Sequence, residues 1–270
     1  MGAIMKNLFF FIISILFVGS LSAQTTVDAK DILKDIEAGK AIKYENCAIS
    51  GDLDFTILNE DESDRKSSKK DSWVDRLFSK NGSSNEIVTK VEVPISFTNC
   101  TFKDDVIAYY HDDFDEITYN VNFYEDVNFT GCNFERGSQF KYVKFMRGSD
   151  FAKSIFEEEA LFKYAAFNEK VSFAGSKFYD EANFKYTDFD EYVDFTDCLF
   201  DRDADFKYTA FPYGVSFKNA VFERFANFKY ANFDEPTDLD GVDFRDDVDF
   251  KYTEYSGNSF IRHLIKSRHD

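Results

Sequence analysis

The chain is poor in the residues that most catalytic and metal sites require. It has 3 His, 1 Trp and 4 widely separated Cys among 270 residues. It contains no G-x-S-x-G segment, no glycine-rich phosphate loop and no zinc-type spacing of Cys and His. Acid pairs are so frequent that their occurrence says nothing about glycoside chemistry. The sequence therefore predicts no enzyme, no metal site and no cofactor.

Basic residues are scarce relative to acidic ones. The chain carries 32 Lys and Arg against 50 Asp and Glu, which gives a formal net charge of −18. Contacts to phosphate groups come mainly from Lys and Arg, so binding to nucleic acid or to an anionic membrane is disfavoured. Cationic partners, and proteins that normally bind DNA, stay compatible with this charge.

Long apolar runs are absent after the N-terminus. The first residues, MGAIMKNLFFFIISILFVGSLSAQ, contain one basic residue, Lys6, an apolar run from Leu8 to Val18, and small residues up to Ala23. This pattern predicts a secretory signal peptide over residues 1–23, cleaved after Ala23, and export to the periplasm or the cell surface. The alternative is a retained membrane anchor, but the run is shorter than the roughly 20 residues that span a bilayer. No membrane span is expected after cleavage.

Aromatic residues are abundant instead, with 34 Phe and 15 Tyr. From Phe123 to Phe250 a Phe, or once Leu239, recurs at alternating intervals of six and five residues, with a small or β-branched residue two positions earlier in most units. Neither a helix nor a long strand has this period. A chain that turns a corner every five or six residues does, and four such sides make the 22 residues that separate the Phe-Lys-Tyr triplets. The triplets begin at Phe140, Phe162, Phe184, Phe206, Phe228 and Phe250.

The repeated units ANFKY, TDFDE, ADFKY and ANFDE resemble the pentapeptide-repeat family, whose consensus is A(D/N)LXX with Leu or Phe at the centre. The resemblance covers residues 95–255 well and residues 46–55 weakly. It implies an all-β solenoid, a right-handed quadrilateral β-helix, here with about 22 residues per coil and short helical caps. Stacked coils bury a continuous Phe core that no single coil can bury.

The period also suggests a domain organisation. We expect an N-terminal capping helix within residues 24–45 and the β-helix over residues 46–255. Charged, Ser-rich and Gly-rich stretches predict loop insertions at 56–92 and 103–117. Apolar residues at helical spacing predict a C-terminal capping helix over residues 256–270.

Each insertion contains a candidate site. The segment SWVDRLF around Trp73 either packs on the solenoid or serves as an exposed docking element. In the second insertion His111 lies among Asp112, Asp113, Asp115 and Glu116, but no spacing matches a calcium or zinc motif. A solvated acidic loop is the favoured interpretation of that cluster, and a metal-binding loop is the alternative.

The four cysteines, Cys47, Cys100, Cys132 and Cys198, share one position of the repeat, two residues before a central apolar residue. That position points inward, where Cys serves as a small apolar residue, so buried free thiols are expected. A disulfide between Cys100 and Cys132 is the alternative, although side chains stacked in register run parallel to one another. Zinc is less favoured, because one column does not supply tetrahedral ligands.

The Lys and Tyr of the triplet are expected outside or at a corner, where stacking aligns them into a stripe. Stacked Tyr rings stabilise themselves, so this ladder either belongs to the fold or forms a flat strip for a glycan or an elongated protein partner. The candidate binding residues are Lys163, Tyr164, Lys185, Tyr186, Lys207, Tyr208, Lys229 and Tyr230.

Together these observations favour an exported, non-enzymatic scaffold, either binding or structural, that acts through its outer faces, with a protein or glycan as the partner. The resemblance also implies an alternative, because the family's best-known members are acidic DNA mimics that inhibit a type II topoisomerase. Net charge and fold permit this role, whereas the signal peptide opposes it. Open sheet edges at the ends of the solenoid leave an end-to-end homodimer open as well.

Overall fold

The protein is described by a computed structural model that covers residues 24–58 and 85–261. The chain crosses four sheets in turn and then repeats, so that most strands pair in parallel with the strand of the next coil. This arrangement is consistent with a β-helix solenoid. The described residues do not include 1–23, 59–84 or 262–270. The predictions of a signal peptide, of a role for the segment around Trp73 and of the end of the C-terminal helix therefore lie outside the described residues.

We number the four sheets in the order in which each coil crosses them, starting from Ile42–Glu45. The first contains Ile42–Glu45, Ile95–Thr98, Val127–Asn128, Ser149–Asp150, Val171–Ser172, Val193–Asp194, Val215–Ser216 and Thr237–Asp238. The second contains Thr25–Asp28, Cys47–Ser50, Thr101–Phe102, Asn133–Phe134, Ile155–Phe156, Lys177–Phe178, Leu199–Phe200, Val221–Phe222 and Asp243–Phe244.

The other two sheets complete the coil. The third contains Leu53–Asp54, Val106–Ile107, Ser138–Gln139, Ala160–Leu161, Ala182–Asn183, Ala204–Asp205, Ala226–Asn227 and Val248–Asp249. The fourth contains Glu86–Val91, Tyr109–Asp112, Ile117–Phe123, Lys144–Phe145, Ala166–Phe167, Asp188–Phe189, Ala210–Phe211, Asn232–Phe233, Glu254–Tyr255 and Asn258–Ser259.

The pairing register explains why the sequence repeats. Ala160 pairs with Ala182, and Ala182 with Ala204, so that identical positions of the repeat lie directly above one another. Small residues and Phe side chains point inward along each sheet and are almost completely buried. A residue type that suits one coil therefore suits the next, because its neighbours are copies of itself.

The core consists of parallel columns of Phe rings. Within a column, Phe134 and Phe156 have ring centroids 4.7 Å apart with planes 2° from parallel. Between columns, Phe162 meets Phe173 edge to face at 5.3 Å and 81°. Stacked and edge-to-face pairs are the two arrangements that aromatic quadrupoles favour. Each ring therefore adds specific aromatic contacts to the free energy of burial.

A helix, Ala29–Glu37, covers the N-terminal end of the solenoid within the range expected for a cap. The Asp28 carboxylate accepts a hydrogen bond from the Lys30 backbone N–H at 2.9 Å and so satisfies one N-terminal donor. The apolar face of the helix is buried against the first coil, through Ala29, Ile32, Leu33 and Ile36. A short 3-10 helix, Phe55–Ile57, follows the first strand of the third sheet.

Within the described part of the C-terminal end, a hairpin occupies the start of the range 256–270 expected as a helix, and helical residues begin only at Phe260. Glu254–Tyr255 pairs antiparallel with Asn258–Ser259, and Gly257, at φ +70°, forms the turn between them. This hairpin places the buried ring of Phe260 against Phe233, with centroids 4.7 Å apart. Hairpin pairing satisfies backbone groups at the open edge of the fourth sheet, which a helix beginning at residue 256 would leave unpaired.

Both insertions are shorter than expected. Glu86–Val91 lies in the fourth sheet, so the residues expected as a loop to position 92 rejoin the solenoid earlier. Val106–Ile107 continues the third sheet, and the insertion there is a hairpin in which Tyr109–Asp112 pairs antiparallel with Ile117–Phe123. The sequence pattern misplaces these bounds because the register was read from Phe, and Ala108 takes the place of Phe in this coil.

Candidate binding surface

The turn from the third to the fourth sheet has an unusual residue at its corner. Tyr142, Tyr164, Tyr186, Tyr208, Tyr230 and Tyr252 all adopt a left-handed conformation, with φ between 58° and 63°. A residue with a Cβ atom loses roughly 1–2 kcal/mol in this conformation, and Gly or Asn is normally found there. Tyr therefore occupies this corner against the preference of the backbone.

The opposite corner, between the first and second sheets, shows what the backbone itself prefers. It has the same left-handed conformation in each coil, and its residues are mostly Gly, Asn or Asp. The two corners share a left-handed φ, so backbone preference does not account for Tyr at the first of them. The residues of the opposite corner are Asn46, Asn99, Gly131, Lys153, Gly175, Asp197, Asn219 and Gly241.

The tyrosine side chains form a continuous stack. Tyr164 and Tyr186 have ring centroids 4.8 Å apart, Tyr186 and Tyr208 4.7 Å, and Tyr208 and Tyr230 4.7 Å, with planes within 3° of parallel. Tyr109 of the inserted hairpin extends the stack at one end. Because the faces of successive rings cover one another, the stack offers ring edges and hydroxyl groups to solvent. Its ring faces are not available for stacking on a sugar ring.

The lysines of the triplet run along the same stack. The ammonium groups of Lys163, Lys185, Lys207 and Lys229 lie 5.1–5.5 Å from the ring centroid of the following Tyr. The eight residues predicted from the sequence therefore lie together as one Tyr/Lys strip, which we define as Lys163, Tyr164, Lys185, Tyr186, Lys207, Tyr208, Lys229 and Tyr230.

Asp and Asn side chains border the strip on the third sheet. The Asp205 carboxylate accepts a hydrogen bond from the Lys207 backbone N–H at 2.9 Å, and Asn227 does the same for Lys229 at 3.2 Å. Burial raises the pKa of Asp205, while the hydrogen bond from Lys207 and the charges of neighbouring lysines oppose the rise. These side chains fix the corner, and the Asp205 carboxylate supplies negative charge beside the Lys column.

The corner between the second and third sheets is acidic. Glu157, Asp180, Glu181 and Asp203 line a shallow depression together with Tyr179 and Arg202. Burial, followed by repulsion from Glu181 and Asp180, raises the pKa of Glu159. The pKa of Glu181 is raised in the same way by burial and by neighbouring Asp residues.

We expect the protein to be more thermally stable at about pH 5 than at pH 8. Burial raises the pKa of Asp54, Asp188, Asp205, Glu159 and Glu181 in the folded chain. At pH values between the ordinary pKa of these groups, about 4, and their raised pKa, the folded state binds more protons than the unfolded state. Stability therefore falls as pH rises through this window. Thermal unfolding followed by circular dichroism at constant ionic strength measures the difference.

Replacing Glu159 and Glu181 by Gln provides the matched variant for this prediction. It removes two of the titrating groups, so the gain in Tm on acidification is expected to shrink. A Tm that stays constant or falls between pH 8 and pH 5 in the parent protein contradicts the prediction.

The structure buries all four cysteines as free thiols; Cys47 begins a strand of the second sheet, and Cys100, Cys132 and Cys198 each directly precede one. The Sγ atoms of Cys47 and Cys100 are 3.3 Å apart, so the adjacent sulfurs of the first two coils are in contact. Cys198 instead donates to the Phe173 carbonyl oxygen at 2.9 Å. The sequence did not single out the pair of Cys47 and Cys100, because 53 residues separate them.

The acidic cluster at His111 lies on the inserted hairpin. The His111 Nδ1 atom is 2.9 Å from the Thr118 hydroxyl, and Nε2 is 3.6 Å from the exposed Asp113 carboxylate. The Asp112 carboxylate accepts hydrogen bonds from the backbone N–H groups of Phe114 and Asp115. Among the residues that the structure describes, no group of three or more His, Cys, Asp or Glu side chains is arranged to hold a metal ion.

Comparison with known proteins gives one family match. The family model described as pentapeptide repeats (9 copies) matches residues 119–166, 162–210 and 206–254. No curated protein matches, and no solved structure matches. Within residues 24–58 and 85–261, no helix is both long enough and apolar enough to cross a membrane.

Proposed function

Because the chain belongs to the pentapeptide-repeat family, we propose that it is an exported, non-enzymatic scaffold that binds an elongated partner through the Tyr/Lys strip. The proposal includes a right-handed coil of about 22 residues, in line with the spacing of the triplets. Export is supported by the charged, apolar and small-residue pattern of residues 1–23.

One observation carries the binding role. At the corner between the third and fourth sheets, every left-handed residue from Tyr142 to Tyr252 is Tyr. The opposite corner, between the first and second sheets, uses mostly Gly, Asn and Asp. Stacking between rings offsets part of the backbone cost. Stacking alone does not require the Tyr hydroxyl, and Phe, which the chain uses throughout its core, would stack as well. Retention of Tyr on the surface favours a role for the hydroxyl edge.

The exposed chemistry of the strip favours a protein partner over a neutral glycan. Tyr164, Tyr208 and Tyr230 are 36–40% exposed, and neighbouring rings cover their faces. The strip therefore presents hydroxyl groups and ammonium groups rather than flat ring faces. A partner with carboxylates and carbonyl groups along an extended segment matches this pattern of donors.

Changing Tyr164, Tyr186, Tyr208 and Tyr230 together to Asn is expected to abolish recovery of the partner while the protein stays folded. Asn suits a left-handed corner, so the variant removes the rings without imposing backbone strain. The measurement is crosslinking in the native host followed by pull-down and mass spectrometry. We expect a loss of at least about tenfold in recovered partner, the effect of removing clustered aromatic contacts.

The opposite corner supplies the matched control. Changing Lys153 and Asp197 to Asn alters residues of the same backbone conformation on another edge of the solenoid. This control should recover the same partner as the parent protein. Equal recovery by parent, control and strip variant would assign the Tyr ladder to the fold alone.

The acidic corner supports a second candidate, inhibition of a type II topoisomerase by DNA mimicry. Glu157, Asp180, Glu181 and Asp203 lie close together along the edge of a rod-like solenoid. A supercoiling assay with the host enzyme tests this candidate directly. Inhibition that is lost when Asp180, Glu181 and Asp203 become Asn, Gln and Asn would favour it over the scaffold role.

A further inference from the structure

Three of the four thiols form a stack at the N-terminal end of the second sheet. Ala48 pairs with Thr101, and Thr101 pairs with Asn133, which places the preceding residues, Cys47, Cys100 and Cys132, on successive strands. The Sγ atoms of Cys47 and Cys100 are 3.3 Å apart, and both side chains are buried.

The fourth thiol, on Cys198, provides an internal comparison. It directly precedes a strand of the same sheet, but Ser154 and Ser176 occupy the same inward position in the two coils that separate it from Cys132. Ser176 donates to the Phe151 carbonyl oxygen just as Cys198 donates to that of Phe173. Cys132 also donates to a carbonyl oxygen, that of Phe97, at 3.4 Å, so this hydrogen bond is common to the column and does not depend on a thiol being alone.

We propose that Cys47 and Cys100 form an oxidisable dithiol that a small peroxide converts into a disulfide joining the first two coils. In the first step the Cys100 thiolate attacks one oxygen of hydrogen peroxide, and the O–O bond breaks. Cys100 becomes a sulfenic acid, and the hydroxide that is released takes up a proton to become water. In the second step the Cys47 sulfur attacks the Cys100 sulfur and displaces hydroxide, which leaves as water with the Cys47 proton. Overall, two thiols and one hydrogen peroxide give one disulfide and two waters.

The strand geometry permits this bond. Paired strands lie about 4.8 Å apart, within the Cα separation of about 4.4–6.8 Å that disulfides span. The two sulfurs must approach from 3.3 Å to the bond length of about 2.0 Å. The strand that begins at Cys47 pairs with Thr25–Asp28 on one side and with Thr101–Phe102 on the other, so the approach must come from the side chains and not from a free strand edge.

The surroundings divide the two roles between the thiols. A hydrogen bond with Cys132 is the main cause that lowers the pKa of Cys100, and this favours the thiolate. Burial raises the pKa of Cys47, which keeps that thiol protonated until it condenses. Cys100 is 1% exposed. A small oxidant such as hydrogen peroxide can reach such a side chain, whereas a bulky disulfide cannot.

The bond would close a covalent loop from Cys47 to Cys100. The helix Ala29–Glu37 packs on the first coil, so the cap and the second coil would then be joined covalently as well as by pairing. This inference does not depend on the proposed binding role of the Tyr/Lys strip.

The test uses the full chain, first reduced and then treated with hydrogen peroxide in the folded state. After denaturation, N-ethylmaleimide labels the remaining thiols, and mass spectrometry counts them. We expect two labelled thiols rather than four, with a peptide pair that maps to Cys47 and Cys100. Four labelled thiols, or a bond between Cys100 and Cys132, would overturn the inference.

Single Ser variants make the assignment specific, since Ser already occupies this column at Ser154 and Ser176. Cys47→Ser retains three thiols, and peroxide is expected to leave two of them labelled, with Cys100 as a sulfenic acid and no crosslinked peptide pair. Cys198→Ser and Cys132→Ser should both keep the crosslink between Cys47 and Cys100. Circular dichroism confirms that each variant is folded, and a crosslink that forms only in denaturant would also overturn the inference.

Discussion

Replacing Phe162 by Ala is expected to lower the free energy of unfolding by about 3–5 kcal/mol, the usual cost of deleting a buried aromatic ring. Phe162 is 0% exposed and stacks between Phe140 and Phe184 at 5.1 and 5.0 Å. It also meets Phe151 and Phe173 edge to face. Its removal leaves a cavity that ordered coils above and below cannot fill. Urea unfolding followed by circular dichroism measures the loss.

Phe114→Ala is the matched control, because it deletes the same ring from an exposed position. The Phe114 side chain lies on the inserted hairpin and is 94% exposed. Phe114→Ala is expected to change the free energy of unfolding by less than about 0.5 kcal/mol, as is usual for exposed positions. If the two substitutions cost the same, the Phe columns do not carry the stability of the solenoid.

Replacing Gly214 by Ala is expected to cost about 2–4 kcal/mol, from backbone strain and steric overlap together. Gly214 has φ +89°, and a Cβ atom there would lie 2.1 Å from the Pro236 carbonyl oxygen. That oxygen accepts a hydrogen bond from the Val215 backbone N–H at 2.9 Å, so it cannot withdraw without breaking a link between coils. Thermal or urea unfolding of the purified variant tests the expectation.

Gly39→Ala is the control that separates backbone strain from steric overlap. Gly39 also has a positive φ, +71°, but a Cβ atom there would meet no other atom within 4 Å. Gly39→Ala is therefore expected to cost only the backbone strain, roughly 1 kcal/mol. Equal losses for the two variants would show that close approach to Pro236 contributes nothing.

Much of the architecture could be predicted from the sequence because the core repeats. The spacing of Phe from Phe123 onwards indicated short sides and corners, and the resemblance indicated the family that the match over residues 119–254 shows. Prediction was weakest where the period breaks. The strand Thr25–Asp28, the hairpin at Tyr109–Asp112 and the hairpin around Gly257 contain no Phe of the repeat, so their register was not visible.

The candidate binding surface was predicted in part. The sequence aligned Lys and Tyr into one stripe, because residues at a fixed interval must stack when coils stack. It did not show that Tyr186 and its equivalents adopt a left-handed conformation, since Tyr is not a residue that signals one. It also did not show that each ring covers the face of the next, which changes the partner chemistry that the strip favours.

The sequence by itself indicated the stacked β-architecture, because a series of Phe side chains at so regular a spacing is buried when the chain returns to equivalent positions. The tertiary structure alone decided which distant groups meet. Cys47 and Cys100 share a position of the repeat, but only the folded chain shows that they are neighbours, because the long insertion between them hides how many coils separate them. The backbone angle at each Tyr is likewise set by the closure of the coil, and local residue preference would have placed Gly or Asn there.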